Sequence, residues 1–537
     1  MSRVSRRDFI SGASAAGLAS LAGNAFGAGS GAQGAKGPSE ARVLIDPSHP
    51  VAQLDRNVFS SFLEHLGRAI YEGIYDPGSP EADADGYRKD VLQQIRGLGV
   101  PMIRYPGGNF VSGYNWLDGV GPKKDRPTVL DRAWDTIETN QFGTDDFMAW
   151  CQKAQTLPLM AVNLGAGTAK EAGNLVEYCN LAKGTKWSDL RRKYGHEEPY
   201  RVKHWCLGNE MDGPWQIGHS TATAYGLKAA DAARQIRAVD PSVFLVVCGS
   251  SNPFMPTYLE WDREVLEQCY DVVDAISLHR YFNDTTETDG DSRHYLALNL
   301  TMDRQIEQVA AVCDMVAGRL RTEKLLHLSF DEWNVWYRER GGDGHKQEAP
   351  HLLEEVYNLQ DALLIGGCLN TLLRHADRVR IACLAQLVNV IAPLMTNRTS
   401  VLRQTIYYPY AWALHHCRGE VIDLVVDSPT YKVENMGQVP YLDVVATRDA
   451  ATGETTLLVL NRDLDKSHQI DLTWRTGAPK RVKVSEVLTG PDLKATNTFA
   501  DPKRVVPGRL ETPKQLGSRM TVEVPARSYS VLVFETA

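Results

Sequence analysis

The stretch Val202-Lys203-His204-Trp205-Cys206-Leu207-Gly208-Asn209-Glu210 is a largely apolar run that breaks at a glycine and ends in an amide and a carboxylate. Further along the chain, Leu325-Leu326-His327-Leu328-Ser329-Phe330-Asp331-Glu332-Trp333-Asn334 is a second largely apolar run that leads into carboxylates, followed by Trp and Asn. Each run has the length and composition of a buried strand. When parallel strands close into a barrel, the polar residues at their carboxyl ends meet at one face. We therefore expect Glu210 and Glu332 to lie on the same face of a barrel.

The chain between residues 58 and 390 alternates short apolar runs with helical patterns, as repeated βα units do. Eight runs are interpreted as strands: Val58–Leu63, Pro101–Tyr105, Leu159–Asn163, Lys203–Leu207, Phe244–Cys248, Val273–His279, Leu325–Phe330 and Ile381–Gln386. Among the helices, one is predicted to begin at Thr144 as its N-cap, and others cover Thr221–Val239 and Asn358–Val379. Eight strands predict an α/β fold, a (β/α)₈ TIM barrel.

A second domain is predicted after Tyr410, where helical patterns stop. Six runs separated by turn residues are interpreted as strands of an all-β sandwich or jelly roll: Tyr441–Ala446, Thr455–Leu460, Ser467–Leu472, Val482–Val487, Met520–Val524 and Ser528–Phe534. Arg42–Ile45 is a further strand, which we expect to join the same sandwich. The predicted boundaries are 41–57 for the N-terminal strand region, 58–405 for the barrel and 406–537 for the sandwich.

The N-terminus is interpreted as a targeting segment. Ser5-Arg6-Arg7-Asp8-Phe9-Ile10 places paired arginines before a stretch rich in Ala, Gly and Ser. This pattern resembles a twin-arginine-type signal, assigned to residues 1–28 and followed by a flexible linker over 29–40. It predicts a periplasmic or secreted protein. The 9 cysteines lie far apart, many of them in apolar segments, and are expected to be free buried thiols, which the export of an already folded protein tolerates.

The charge composition of the chain indicates which kinds of molecule it binds. Lys plus Arg number 58 and Asp plus Glu 66, a net charge of -8, and the basic residues form no tract beyond the N-terminus. Nucleic acid is therefore not expected as a partner, and a neutral substrate such as a sugar fits better. Beyond the N-terminal segment, no apolar stretch is long enough to span a bilayer. No cofactor is expected and no metal is indicated, because the chain contains neither C-x-x-C nor H-E-x-x-H.

Polar residues follow seven of the eight predicted strands: Glu64, His65, Arg104, Asn109, Asn163, Asn209, Glu210, His279, Tyr281, Glu332 and Gln386. Two carboxyl groups on one face suit glycosidic bond cleavage. One protonates the leaving oxygen, and the other interacts with the sugar carbon that becomes cationic. A guanidinium inside a barrel needs a partner, and Glu332 is the natural one for Arg104, which would keep that carboxylate ionised. Two interpretations stay open for two of these residues. Asn163 either hydrogen-bonds loop backbone or belongs to the site. His279 is either a hydrogen-bonded core histidine or a site residue.

The strings FLEHLGRAIYEGIYDPGS, IRYPGGNFVSGYNWLDGVGP, LGNEMDGPWQIGH, SLHRY and FDEWNVWY resemble glycoside hydrolase family 51, the α-L-arabinofuranosidases. The resemblance runs from Val43 to Ala537. It implies a retaining, exo-acting enzyme that removes terminal α-L-arabinofuranosyl residues from arabinose-containing oligo- and polysaccharides by double displacement. It also implies a homo-oligomer, commonly a hexamer. Similar enzymes usually function inside the cell, so the export signal is a departure that bears on the natural substrate.

Carried over by position, Glu210 corresponds to the acid/base and Glu332 to the nucleophile. The resemblance implies that the arabinofuranose hydroxyls are bound by Glu64, Asn109, Asn209, Tyr281 and Gln386. It places Arg104 and His279 beside the nucleophile and Trp336 on the pocket wall, with Trp116 or Trp134 as a second aromatic surface. From their sequence positions, Trp205 and Trp215 are expected to give Glu210 apolar surroundings, which raise the pKa of an acid catalyst.

Two rival functions stay open at this point. A β-xylosidase or endo-glucanase uses the same architecture, and a barrel does not identify its substrate. A non-catalytic carbohydrate-binding protein, with the sandwich as the binding domain, is the second rival. The presence of both glutamates and of Arg104 argues against it, because buried charges without a function are rarely kept unpaired.

Overall fold

The computed structural model describes residues 39–338 and 345–536. The predicted signal segment and most of the predicted linker lie outside these residues. Ser39 and Glu40, which were assigned to the linker, are instead the first residues of the strand Ser39–Gln53.

Eight parallel strands form a closed barrel, as predicted. They are Ser60–Phe62, Met102–Tyr105, Leu157–Val162, His204–Leu207, Phe244–Val247, Ala275–Phe282, His327–Val335 and Val379–Leu384. Each strand pairs with its neighbour in the chain, and the eighth pairs with the first through Cys383 opposite Ser60. Every predicted strand coincides with one of these, with ends that differ by a few residues.

Helices separate the strands and cover the barrel. They are Lys89–Leu98, Thr144–Ala154, Ala169–Asn180, Lys186–Lys193, Ala222–Val239, Glu260–Cys269, Asp284–Thr288, Ser292–Tyr295, Asn299–Leu320, Leu359–Arg374 and Tyr407–His416. The prediction of Thr144 as an N-cap is wrong, because Gly143 holds that position and its N–H is bound by Asp146 at 3.0 Å. The predicted Asn358–Val379 helix ends at Arg374, since Val379 begins the eighth strand.

The C-terminal part folds as a nine-stranded sheet around a second hydrophobic core. In spatial order its strands are Gly508–Arg509, Pro479–Thr489, Ser528–Thr536, Glu454–Asn461, Leu442–Asp449, Glu420–Asp427, Ser39–Gln53, His468–Trp474 and Arg519–Val524. The N-terminal strand pairs antiparallel with Glu420–Asp427 and parallel with His468–Trp474. The expectation that this strand joins the sandwich therefore agrees with the observed pairing.

One buried helix links the two domains. Leu359–Arg374 is buried on all sides because the barrel lies on one face and the sheet on the other. Helix Tyr407–His416 packs against it and contacts the barrel, where the Tyr410 hydroxyl donates to the carbonyl of Phe59 at 2.7 Å. The first sheet strand after the barrel is Glu420–Asp427, so sheet structure begins later than the predicted boundary at residue 406.

Three two-stranded hairpins complete the strand structure of the described residues. They pair Val129–Asp131 with Thr136–Glu138, Leu394–Thr396 with Val401–Arg403, and Thr430–Val433 with Gly437–Pro440. The first of these follows barrel strand two and carries Trp134 to the mouth of the barrel.

Candidate active site

A cavity of about 590 Å³ opens at the carboxyl end of the barrel strands. The predicted residues that line it are Glu64, Asn109, Glu210, Tyr281, Glu332, Trp336 and Gln386. Arg104, Asn209 and His279 lie below them and are buried. The structure thus brings together all ten residues that were predicted for the site.

Glu332 lies on the seventh strand and is held by two donors. Arg104 Nη1 donates to Oε1 at 2.7 Å, and the Tyr281 hydroxyl donates to Oε2 at 2.7 Å. Burial alone would raise the pKa of Glu332, but the positive charges of His279 and Arg104 and these hydrogen bonds outweigh it, so the pKa lies below its ordinary value. Glu332 is therefore an anion at neutral pH.

Glu210 follows the fourth strand in an unusual backbone conformation, with φ at 43°. Residues other than glycine rarely adopt a positive φ, and such strain is found most often at functional sites. Trp215 Nε1 donates to Glu210 Oε2 at 2.7 Å, and His279 Nδ1 lies 2.9 Å from Oε1. Carboxylate oxygens of Glu210 and Glu332 lie within 4.8 Å of each other. The two carboxyl groups therefore oppose each other directly.

His279 and Arg104 connect the carboxyl groups. Besides its contact with Glu210, His279 Nδ1 lies 3.7 Å from Glu332 Oε2. Burial lowers the pKa of His279, but the charge of Glu332 and the contact with Glu210 raise it above its ordinary value. Arg104 is fully buried and also donates through Nη2 to Asn209 Oδ1 at 2.7 Å. Since His279 contacts both carboxyl groups, the structure favours the site interpretation of this residue.

Glu64 lies on the other side of Glu332 and has a different charge state. Its Oε1 accepts the Phe110 backbone N–H and the Trp134 indole N–H, both at 2.9 Å. Burial and the charge of Glu332 raise the pKa of Glu64 to about 8, in spite of these two donors. A side chain at Gly107 would place its Cβ 2.5 Å from Glu64 Cγ, so only glycine lets the chain pass here.

The amide and aromatic groups complete the wall of the cavity. Gln386 Oε1 accepts the Glu64 backbone N–H at 2.8 Å. Asn209 Nδ2 lies 3.4 Å from Asn109 Oδ1. The rings of Tyr281 and Trp336 meet edge to face with centroids 5.2 Å apart. These contacts fix the orientation of side chains that present polar groups to the cavity.

The prediction that Trp205 surrounds Glu210 is wrong. Trp205 is fully buried, and its indole N–H donates to the Val202 carbonyl at 3.1 Å. Side chains alternate along a strand, and the neighbouring Cys206 faces the barrel interior, so Trp205 faces away from it. Trp116 packs edge to face against Trp187 and away from the cavity. Of the two candidates for the second aromatic surface, Trp134 is the one that lines the cavity.

Asn163 is a loop residue in this structure. Its side chain donates to the Tyr114 carbonyl at 2.9 Å and accepts the Gly167 N–H at 3.0 Å. These bonds satisfy loop backbone, which is the first of the two interpretations left open for this residue.

Several cavity residues were not predicted: Ser251, Asn252, Phe254, Arg280, Asn283, Glu287 and Arg338. A signal for the first two was present, because Ser250-Ser251-Asn252 follows the predicted fifth strand after one glycine, Gly249. The end of the fifth strand is the one strand end at which the sequence analysis names no polar residue.

Models of known protein families match most of the barrel and the sheet domain. A model described as the α-L-arabinofuranosidase 1 domain matches residues 94–297, and one described as the α-L-arabinofuranosidase C-terminal domain matches residues 331–528. The intracellular exo-α-(1→5)-L-arabinofuranosidase 1 of Bacillus subtilis (strain 168) is 48% identical over 472 residues, which cover 87% of this chain and 93% of the relative. An exo-α-(1→6)-L-arabinofuranosidase of Bifidobacterium longum is 45% identical, over 87% of this chain and 91% of the relative.

The relatives contradict the predicted location. Four of them, 45–48% identical to this chain, are named intracellular enzymes, so the prediction of a periplasmic or secreted protein is wrong. An arginine pair before small residues is a short pattern that carries little information on its own. Among the described residues, none of the helices is both long and apolar enough to cross a membrane.

Solved structures lead to the same family. That of a family 51 α-L-arabinofuranosidase from Bifidobacterium longum has a TM-score of 0.89 at 40% identity, over 93% of this chain and 100% of the other. The arabinose complex of an α-L-arabinofuranosidase from Thermotoga maritima has a TM-score of 0.81 at 33% identity, over 92% and 99%. By sequence and by structure, this chain belongs to the family 51 α-L-arabinofuranosidases.

Proposed function

We propose that Glu332 is the nucleophile and Glu210 the acid/base of a retaining, exo-acting α-L-arabinofuranosidase. The observation that carries this proposal is the approach of the two carboxyl groups, with oxygens within 4.8 Å of each other. Retaining enzymes hold their carboxyl groups about 5–5.5 Å apart, whereas inverting enzymes leave room for a water at roughly 6.5–9.5 Å. The short separation is on the retaining side of this range, so we assign the attack on the sugar carbon to Glu332 itself.

The surroundings of the two carboxyl groups suit different roles. Arg104, Tyr281 and His279 keep Glu332 ionised, as a nucleophile must be. Glu210 has two hydrogen-bond partners. The Trp215 indole is neutral, and His279 is shared with Glu332. Glu210 is also the more accessible of the two carboxyl groups, since its side chain is 12% exposed against 8% for Glu332. A group that exchanges protons with a leaving group and with water needs such access.

The reaction proceeds in two displacements. First, a carboxylate oxygen of Glu332 bonds to the anomeric carbon, the bond to the leaving oxygen breaks, and Glu210 transfers its proton to that oxygen. Then Glu210, now a carboxylate, takes a proton from water while the water oxygen attacks the same carbon and Glu332 is released. Arabinose keeps its anomeric configuration, and each residue returns to its starting state.

The sugar-binding roles predicted for Glu64, Asn109, Asn209, Tyr281 and Gln386 are part of this proposal. Support comes from the cavity that Glu64, Asn109, Tyr281 and Gln386 line, and from the hydrogen bonds that hold the five residues in place, with Asn209 buried beside Asn109. A site that offers fixed polar partners to sugar hydroxyls rejects analogues that leave those partners unpaired. Arg104 and His279 act through the carboxyl groups, and Trp336 limits the width of the pocket.

The proposed substrate is an α-(1→5)-linked arabino-oligosaccharide. Several relatives are named for that linkage, while one that is 45% identical is named for the (1→6) linkage. Hydrolysis of α-(1→5)- and α-(1→6)-linked arabinobiose, compared at equal enzyme concentration, decides between the two linkages.

The test of mechanism uses covalent labelling and product stereochemistry. A cyclophellitol-type arabinofuranose analogue is expected to modify Glu332 alone, as read by peptide mass spectrometry. Proton NMR during hydrolysis is expected to detect the α anomer first. Labelling of another carboxylate, or initial release of the β anomer, would refute the assignment.

The two rivals are separated by a substrate panel. Aryl α-L-arabinofuranoside should be hydrolysed much faster than aryl β-D-xyloside or a soluble glucan, and the reverse order would identify a xylosidase or glucanase. Stoichiometric sugar binding without turnover would identify a binding protein.

A homo-oligomer, with a hexamer as the first candidate, also belongs to the proposal and rests on the family alone. Light scattering of the purified chain should give a multiple of 59.6 kDa. A mass of one chain would contradict this expectation.

A further inference from the structure

We propose that Tyr337 and Lys494 are positioning residues that fix Trp336 in the wall of the sugar pocket. Lys494 lies in the sheet domain, between the strands Pro479–Thr489 and Gly508–Arg509. The sheet domain therefore takes part in shaping the active site. This inference rests on the proposed function, in which Trp336 limits the width of the pocket.

The position of the Trp336 ring depends on its backbone. Trp336 directly follows the seventh barrel strand and lines the cavity. Its indole Nε1 is buried but makes no hydrogen bond with any described residue. The ring is held by packing, with the Tyr281 ring centroid and the Arg338 guanidinium carbon each 5.2 Å from its own centroid. A ring without a hydrogen bond of its own moves when its backbone moves, so the segments that hold this backbone decide the shape of the wall.

Tyr337, the next residue, ties this backbone to the buried helix Leu359–Arg374. Its hydroxyl donates to Asp361 Oδ1, in the first turn of that helix. Asp361 is fully buried, accepts a backbone N–H through Oδ2 at 2.8 Å and accepts the Tyr295 hydroxyl through Oδ1, also at 2.8 Å. A buried carboxylate with this many donors has a fixed position. Tyr337 thus anchors the chain one residue after the ring.

The loop after the sixth barrel strand holds Trp336 from the other side. The Trp336 N–H donates to the Phe282 carbonyl at 2.9 Å, and the Trp336 carbonyl accepts Asn283 Nδ2 at 3.1 Å. Asn283 is followed by Asp284, whose side chain is buried. The place of Asp284 therefore influences the place of Trp336.

The sheet domain fixes Asp284. Lys494 Nζ donates to Asp284 Oδ2 at 2.8 Å, and Gln360 Nε2 donates to the same oxygen at 3.0 Å. On either side of Lys494, the carbonyls of Leu493 and Ala495 accept the N–H groups of the first two residues of the buried helix, both at 3.0 Å. The segment around Lys494 is thus docked on the same helix turn that carries the acceptor of Tyr337. Both holds on Trp336 meet at this turn.

The first test compares Tyr337→Phe with Tyr295→Phe in the full-length enzyme. Each variant removes one hydroxyl from Asp361 Oδ1, but only Tyr337 adjoins Trp336. The readout is the Ki of arabinose as a competitive inhibitor of aryl α-L-arabinofuranoside hydrolysis, because arabinose occupies the pocket without reacting. We expect Tyr337→Phe to raise this Ki and the KM about two- to tenfold, with little change in kcat. Tyr295→Phe is the matched control and should leave the Ki unchanged.

The second test concerns the sheet domain. Lys494→Ala should raise the Ki of arabinose about two- to fivefold, a smaller effect because the lysine side chain is 54% exposed. Lys494→Arg keeps the cation and should restore most of the affinity. Lys483→Ala is the matched control, since Lys483 pairs with Glu454 inside the sheet domain. It should leave the Ki unchanged.

Two outcomes would overturn the inference while the proposed function stands. One is an equal rise of the Ki in Tyr337→Phe and Tyr295→Phe, and the other is an unchanged Ki in Tyr337→Phe and Lys494→Ala. Thermal unfolding midpoints show whether each variant folds, and the Lys494 variants decide if Tyr337→Phe does not. If the unmodified enzyme neither hydrolysed the aryl arabinofuranoside nor bound arabinose, the proposed function and this inference would both fall.

Discussion

At the scale of single residues, Glu210 and Glu332 differ through their partners, and this difference has a kinetic consequence. Glu210→Ala should slow substrates with poor leaving groups most, because these depend on protonation. Activated aryl substrates should still form the glycosyl-enzyme and then stall for want of a base, and azide should restore part of their rate. Glu332→Ala should abolish turnover of every substrate. These expectations are checked by kcat/KM across a series of aryl arabinofuranosides. A uniform loss in Glu210→Ala, without azide rescue, would remove Glu210 from its role.

Glu64 should be neutral in the folded protein at neutral pH. Its pKa is raised to about 8, so between the ordinary carboxyl value near 4.5 and pH 8 the folded state holds a proton that the unfolded state has lost. The free energy of unfolding should therefore fall as pH rises through this window, by up to about 1.4 kcal/mol per pH unit. Glu64→Gln lacks this titration. Urea unfolding of both proteins from pH 4 to 9 checks the prediction, and parallel curves would contradict it.

At the scale of elements, helix Leu359–Arg374 is confined by the sheet domain. A Cβ at Gly366 would lie 2.5 Å from Tyr529 Cδ2, so Gly366→Ala forces the helix and the sheet apart. We expect a loss of about 1–3 kcal/mol in the free energy of unfolding. Gly318, in helix Asn299–Leu320, has open space around it. Gly318→Ala should instead stabilise the protein by up to about 1 kcal/mol. Denaturant unfolding measures both, and equal effects of the two substitutions would refute the packing argument.

At the scale of the whole molecule, an ion network joins the barrel to the sheet. Asp443 accepts from Arg374 at 2.6 Å and from Arg462 at 2.7 Å, and Asn299 Nδ2 lies 3.0 Å away. Burial alone would raise the pKa of Asp443, but the two arginines outweigh it and hold the pKa well below its ordinary value. The carboxylate is therefore buried, charged and fully paired.

Loss of this carboxylate should destabilise the protein strongly. Asp443→Asn leaves two guanidinium groups without their anion, at an expected cost of about 3–5 kcal/mol. Because the pKa of Asp443 is lowered by folding, the stabilisation is present above pH 4 and fades as pH falls further. Chemical unfolding at pH 3 to 7 measures both effects. Asp465→Asn is the control, since its pair with Arg293 is exposed and should contribute less than about 1 kcal/mol. Equal costs would contradict the prediction.

The barrel, the sheet domain and the residues at the strand ends could all be predicted from the amino-acid sequence alone. Apolar runs of strand length are local signals, and the closure of parallel strands brings their ends together whatever the loops do. Glu64, Arg104, Glu210, His279 and Glu332 were therefore predictable. The family also followed, because its motifs are long enough to be specific.

The contacts between side chains of different loops became known only from the folded structure. Trp205 and Trp215 are equally near Glu210 in the chain, yet one is buried in the core and the other binds the carboxylate. Threonine is a common N-cap residue, but Gly143 and not Thr144 holds the N-cap position of helix Thr144–Ala154. Loop paths are set by packing and hydrogen bonds between distant segments, and no local pattern in the sequence records them.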